Sequence, residues 1–97
     1  MPDARLKDRM DAQVRTPYPM LTTGDIAGVD MYQLDATIYG IATWYADNDD
    51  RLTDAHRASL SERLADLDRV WDQLPSEASR VFYATARDLA RHLVATR

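Results

Sequence analysis

The stretch that decides the fold is residues 31–46, MYQLDATIYGIATWYA. Apolar side chains recur in it at intervals of three and four residues, which places them on one face of an α-helix. These residues are Met31, Leu34, Ile38, Ile41 and Tyr45. The spacing therefore predicts a helix over 31–46 with one side buried in a core.

The residues around the start of this stretch carry the signals of a helix N-terminus. Asp30 can accept a backbone N–H as the N-cap, and Gln33, three residues later, completes the pattern of a capping box. Val29 and Leu34 occupy the two positions of a hydrophobic staple. We therefore expect the helix to begin at Met31.

The same stretch has a competing interpretation as a β-strand. Residues 37–45 are rich in β-branched and aromatic side chains, and Gly40 weakens a helix. The spacing of three and four nevertheless persists through the whole stretch, and its N-cap signal is good. We therefore favour the helix.

Two further helices are predicted after this one, over 54–74 and 77–95. Thr53 and Ser76 can serve as their N-caps, and Pro75 interrupts the apolar pattern between them. The predicted core residues are Leu60, Leu64, Leu67, Trp71 and Leu74 in the first helix and Ala78, Phe82, Ala86, Leu89 and Leu93 in the second. Because the break between them is short, we expect an antiparallel hairpin, and with 31–46 an all-α bundle of three main helices.

Residues 1–29 are predicted to form an N-terminal arm on a bundle domain of residues 30–97. Residues 3–14 have the spacing of a short helix, with Leu6, Met10 and either Val14 or Gln13 on one face. Residues 16–19 contain two prolines and cannot continue it, because each proline restricts the residue before it. We therefore expect a partly extended crossing there. The side chains expected to lie over the bundle are those of Tyr18, Met20 and Leu21.

The composition fits one small globular domain and excludes several classes of site. The chain has 97 residues, 45% of them apolar and 29% charged, which is enough apolar surface to bury a modest core. It has no cysteine, which excludes disulfides, thiolate nucleophiles and zinc–thiolate sites. No stretch resembles a signal peptide or reaches the roughly 20 apolar residues of a membrane span. We therefore expect a soluble, cytoplasmic protein that does not bind membranes.

The flanks of the predicted helix over 31–46 suggest a binding surface. Tyr32, Tyr39 and Trp44 lie beside the apolar stripe, so little of this helix is polar. A three-helix bundle would leave part of such a helix uncovered, and exposed apolar faces mark protein interfaces. We therefore predict a non-enzymatic protein that binds a partner protein, or itself as a homodimer, through this face.

Asp35 is the only charged residue between positions 31 and 46. It lies beside the apolar stripe, where a lone charge needs a partner. We expect it to pair with an arginine or with a tyrosine hydroxyl.

The two histidines are expected at the same end of the antiparallel hairpin, close to an acidic loop. Two imidazoles and a carboxylate are suitable ligands for zinc or another divalent transition metal. No ligand pair has the local spacing of a metal motif, and packing or capping explains each residue as well. The sequence therefore favours no metal and no cofactor. The metal candidates are His56, His92, Asp47, Asp49 and Asp50.

Three arginines, Arg80, Arg87 and Arg91, fall on one side of the predicted helix over 77–95. Such a stripe can contact phosphates, which would make the protein a nucleic-acid-linked regulator. More often it is a solvated helix face, and the net charge of −4 does not favour nucleic acid. The acidic outer side of the helix over 54–74 suits a further alternative, an inhibitor or immunity-type protein for a basic partner.

The sequence contains no recognisable pattern of a catalytic site. Its serines lack a glycine-rich elbow and a base, and its three glycines are too dispersed for a phosphate loop. Nothing in the sequence indicates a small-molecule substrate. We therefore expect no catalytic residue and no enzymatic activity.

Overall fold

The computed structural model describes residues 3–19 and 24–96 as a helical bundle. Its four α-helices are α1 (Ala4–Arg15), α2 (Met31–Asp47), α3 (Asp54–Val70) and α4 (Glu77–Val94). A two-stranded antiparallel hairpin, β1 (Asp25–Ile26) and β2 (Val29–Asp30), precedes α2, and a 3-10 turn (Trp71–Gln73) follows α3. The predicted all-α bundle with an N-terminal arm is confirmed. None of the described helices is both long enough and apolar enough to cross a lipid bilayer.

The start of α2 follows the signals in the sequence. The Asp30 carboxylate accepts the Gln33 N–H at 3.0 Å, and the predicted apolar stripe is buried. The capping box is only half formed, because the Gln33 side chain donates to the Thr37 hydroxyl instead of reaching back. The competing strand interpretation is wrong, since residues 37–45 are helical throughout.

The predicted hairpin of the last two helices is confirmed, but α3 ends earlier than position 74. The residue before a proline is disfavoured in the helical conformation, and Leu74 precedes Pro75. Leu74 is accordingly extended, and the chain tightens into the 3-10 turn just before it. The next helix starts at its predicted N-cap, where Ser76 accepts the Ser79 N–H.

The core face of α4 differs from the prediction at its first turn. Ala78 is exposed, and Ser79 is buried in its place. The Ser79 hydroxyl donates to the Ser76 carbonyl at 2.7 Å, which satisfies the polar group without water. The rest of the face is apolar and buried, and it consists of Phe82, Tyr83, Ala86, Leu89, Ala90 and Leu93.

α4 lies at the centre of the bundle and packs against each of the other three helices. α1 runs antiparallel to α4, because Asp3 contacts His92 and Arg9 contacts Asp88. α2 runs antiparallel to α1, since Tyr45 at its last turn donates to Asp3 at the start of α1. α1 and α2 therefore run in opposite directions, and they lie side by side on α4.

The N-terminal arm contains the predicted short helix, α1, which is capped by Asp3 and buries Leu6. It ends at Arg15, and Thr16 is extended because it precedes Pro17. Tyr18 lies against the bundle as expected. The other two side chains predicted there, Met20 and Leu21, lie outside the described residues.

The hairpin before α2 was not predicted from the sequence. Ala27 and Gly28, its two turn residues, have φ values of 49° and 84°, as in a type I′ turn. Strands of two residues are too short to show alternation, so the pattern carries no signal for them. Arg69 of α3 donates to the Ala27 carbonyl at 3.2 Å, which ties the turn to the bundle.

Candidate binding groove

An open groove separates α1 from α2, and we refer to it as the α1–α2 groove. Its wide half, about 610 Å³, lies at the end where α1 stops, and its narrow half, about 300 Å³, lies towards the start of α1. Tyr39 lines both halves. The two cavities are therefore neighbours along the two helices, with Tyr39 in the wall of each.

The walls of the wide half are largely apolar and partly exposed. Val14 of α1 is 69% exposed, and Tyr18 in the extended segment is 40% exposed. Across from them, the lining residues of α2 are Asp35, Ala36, Tyr39 and Gly40. Exposed apolar surface gathered in a concave site is typical of a surface that binds a partner.

Tyr18 is held rigidly although the segment that carries it is not helical. Its hydroxyl lies 2.8 Å from the hydroxyl of Tyr83, a fully buried residue of α4. Its ring packs edge-on against Phe82 at 4.8 Å and stacks on Tyr32 at 5.5 Å between centroids. The aromatic end wall of the groove is therefore preorganised before any ligand binds.

The polar floor of the wide half is a pair of side chains, Gln13 of α1 and Asp35 of α2. Gln13 Nε2 donates to Asp35 Oδ1. Gln13 is only 4% exposed, and its Oε1 is buried without a hydrogen-bond partner. Burial raises the pKa of the Asp35 carboxyl, and the hydrogen bond from Gln13 offsets this only in part.

The partner predicted for Asp35 from the sequence is wrong. Asp35 bonds to the amide of Gln13 rather than to an arginine or a tyrosine hydroxyl. Within the described residues, no ion pair of an arginine, lysine or histidine with Asp35 is found. The carboxylate is therefore desolvated without a cation to compensate it.

The aromatic residues predicted to bind a partner do not form one surface. Tyr39 lines the α1–α2 groove, and Tyr32 is 49% exposed beside Tyr18 at its rim. Trp44 lies on another side of α2, where its ring contacts His56 at 4.4 Å between centroids. The structure thus brings Tyr32 and Tyr39 to the groove and leaves Trp44 away from it.

The predicted metal candidates have other contacts. His92 Nε2 lies 2.7 Å from Asp3 Oδ2, and His56 Nδ1 accepts the Thr53 N–H in a capping box. Asp49 and Asp50 adopt positive φ values in the turn after α2, and Asp47 is the exposed last residue of that helix. In the described part of the chain, no group of three His, Asp or Glu side chains is arranged to hold a metal ion.

The three arginines of α4 are not equivalent. Arg80 donates to the Leu74 carbonyl, and the Arg87 guanidinium lies 3.7 Å from the centre of the Trp71 ring. Among the residues described, Arg91 is exposed and its side chain makes no hydrogen bond or ion pair. Two of the three side chains therefore stabilise the hairpin of α3 and α4, which reduces the positive surface that the stripe offers.

Comparison of the chain with protein-family models, curated proteins and solved structures gives no match. The chemistry of the α1–α2 groove is therefore the basis on which a function can be proposed.

Proposed function

We propose that the protein is a non-enzymatic binding module that holds an amphipathic segment of a partner protein in the α1–α2 groove. The observation that supports this most directly is the wide half itself, a shallow, open depression of about 610 Å³ with exposed apolar walls. Folding leaves Val14 and Tyr18 in contact with water, and an apolar partner would remove that surface from it.

The dimensions of the groove suit a short helical or extended segment. α1 has 12 residues and so is about 18 Å long. Its neighbour α2 is antiparallel to it, and a third helix laid between two such helices completes a familiar packing arrangement. We infer a partner segment of about three helical turns.

The charges around the groove favour a basic partner. Asp3, Asp11 and Asp50 line the narrow half beside a single lysine, Lys7, and Asp35 lies in the wide half. The whole chain has a net charge of −4. Complementary charge would steer a basic segment to this face and discriminate against acidic ones.

The histidine–carboxylate pair is engaged in hydrogen bonds within the fold. His92 and Asp3 are largely buried, and Asp3 accepts further hydrogen bonds from the Leu6 N–H and the Tyr45 hydroxyl. Among the described residues, no serine or threonine hydroxyl is shown bonded to His92. A nucleophile next to a base is the requirement for the hydrolytic chemistry that such a pair could serve.

The proposal can be tested with a synthetic helical peptide about 15 residues long, with leucines on one face and lysines on the other. Binding is followed by NMR of the backbone amides. We expect the shifts to concentrate in α1, residues 16–19 and α2. Val14→Lys should weaken binding about tenfold, because it replaces exposed apolar surface in the groove by a charge.

Val81→Lys is the matched control for this experiment. Val81 is 49% exposed on α4 and does not line the α1–α2 groove, yet its substitution changes the net charge equally. Equal loss of affinity in both variants would show that the peptide is held by charge alone, against the proposal. Sedimentation supplies a second check: a dimer that Val14→Lys dissociates and Val81→Lys does not would make the occupant a second copy of the chain.

A further inference from the structure

The Gln13–Asp35 pair is a polar feature of the α1–α2 groove that the fold leaves incomplete. Gln13 is 96% buried, since only 4% of it is exposed, and its Oε1 has no donor within the described structure. Both residues line the wide half. A buried acceptor without a donor is destabilising, so the fold alone does not satisfy the hydrogen bonding of this pair.

The second acceptor beside it is the Asp35 carboxylate, which has only the Gln13 amide as its partner among the residues described. The surrounding walls include the rings of Tyr18, Tyr39 and Phe82. A carboxylate that lacks a cation is complementary to a positively charged N–H group. Aromatic walls suit the aliphatic stem of a long basic side chain and also attract its charge.

We propose that Gln13 and Asp35 form a specificity site for one basic side chain, a lysine or an arginine, carried by the segment that binds the groove. This inference rests on the proposed function and adds the chemistry that the partner must present. The charged N–H group donates to the Asp35 carboxylate, which the Gln13 amide holds in place, while its stem packs against Tyr18 and Tyr39.

The electrostatics of Asp35 agree with this geometry. Burial raises the pKa of its carboxyl because the charged form has lost solvation. A bound cation restores favourable interactions to the charged form only, so its binding lowers the pKa again. Binding of a cation at this site should therefore be detectable as a fall in the pKa of the Asp35 carboxyl.

The test uses three helical peptides that differ at one central position within their apolar face, which carries lysine, Nε-acetyl-lysine or glutamate. Affinity is measured by fluorescence anisotropy and the binding site by NMR. We expect the lysine peptide to bind about tenfold more tightly than the acetyl-lysine peptide, and the glutamate peptide to bind most weakly.

Two variants locate the effect. Asp35→Asn should abolish the preference for lysine over acetyl-lysine. Asp8→Asn removes the same charge from an exposed position on α1 and should leave the preference intact. A preference that persists in Asp35→Asn would place the cation elsewhere and refute the assignment.

The failure of this inference differs from the failure of the proposed function. Equal affinity of the three peptides, with shifts in the groove, would overturn the specificity site and leave the binding role standing. No binding of any peptide in the groove would overturn both. Independently of any variant, the pKa of Asp35, followed by the ¹³C shift of its carboxyl, should fall when the lysine peptide binds and stay constant with acetyl-lysine.

Discussion

Asp3 Oδ2 lies 2.7 Å from His92 Nε2 and so joins the start of α1 to the last turns of α4, across 89 positions in the chain. The same oxygen accepts the Tyr45 hydroxyl of α2 at 3.3 Å, while Asp3 Oδ1 accepts the Leu6 N–H at 2.9 Å. One carboxylate therefore caps α1 and connects three helices at the narrow end of the α1–α2 groove.

Asp3→Asn should destabilise the protein at neutral pH but not in acid. Burial alone would raise the pKa of this carboxyl. Hydrogen bonds from His92, the Leu6 N–H and the Tyr45 hydroxyl, together with the charge of His92, lower the pKa below its ordinary value. A lowered folded-state pKa contributes stability above the unfolded value of about 3.9, and that stability is lost as the pH falls through the folded-state pKa. Asparagine keeps the N-cap, so the loss reports the charge.

The measurement for Asp3→Asn is urea unfolding of both proteins over a series of pH values from acid to neutral. The two unfolding midpoints should converge at the lowest pH. A constant difference at every pH would show that the carboxylate charge does not contribute.

Asp35→Asn should stabilise the free protein at neutral pH. The pKa of Asp35 is raised by burial, so the folded state binds its proton more tightly than the unfolded chain does. The free energy of unfolding therefore falls as the pH rises from the pKa of the unfolded chain to the pKa of the folded state. Asparagine has nearly the same shape but no charge, so the variant does not lose this stability. Thermal unfolding should give a higher midpoint for Asp35→Asn than for the wild type near pH 7, with the gap closing in acid. A midpoint below that of Asp8→Asn would contradict the expectation.

Tyr83→Phe should lower the free energy of unfolding by about 1 kcal/mol, because a buried hydroxyl loses its hydrogen bonds. The Tyr83 hydroxyl donates to the Met31 carbonyl at 3.1 Å and lies 2.8 Å from the Tyr18 hydroxyl. Tyr32→Phe is the control, since Tyr32 is exposed, and it should change stability by less than about 0.5 kcal/mol. Denaturant unfolding measures both, and equal effects would show that the Tyr83 hydroxyl adds nothing.

Substitutions in the β1–β2 turn should have opposite signs. Ala27 has a φ of 49°, which is unfavourable for alanine, whereas asparagine is tolerated there and Asn-Gly is the preferred type I′ pair. Ala27→Asn should therefore stabilise the protein by about 0.5 kcal/mol, and Gly28→Ala should destabilise it by about 1 kcal/mol. Thermal unfolding of the two variants side by side checks this, and the same sign for both would mean that turn strain does not matter.

The helices could be predicted from the sequence because each signal is local. The stripe from Met31 to Tyr45 and the caps Asp30, Thr53 and Ser76 act within a few residues of their targets. The end of α3 was misplaced by four positions, because the heptad spacing continues through Leu74 while the proline after it already alters the backbone.

The groove could be predicted only in part. Tyr39 belongs to the apolar flank of α2 and was identified from it. Gln13 and Asp35 are 22 positions apart, and they meet only because α1 docks antiparallel to α2. The periodicity of α1 allows either Gln13 or Val14 on its inner face, and the structure buries Gln13. Nothing in that periodicity specifies how α1 docks on α2, so the pairing of Gln13 with Asp35 leaves no sequence signal.

Gly40 lies within α2 in the wall of the groove, and a Cβ placed there would meet no atom of the neighbouring elements within 4 Å. Packing of the bundle thus gives no reason for glycine at this position, although glycine makes a helix interior about 1 kcal/mol less stable than alanine. The absence of a side chain leaves the backbone of α2 accessible at this one position. If a segment docks in the groove as proposed, it can approach the helix axis more closely at Gly40 than beside a residue that bears a side chain.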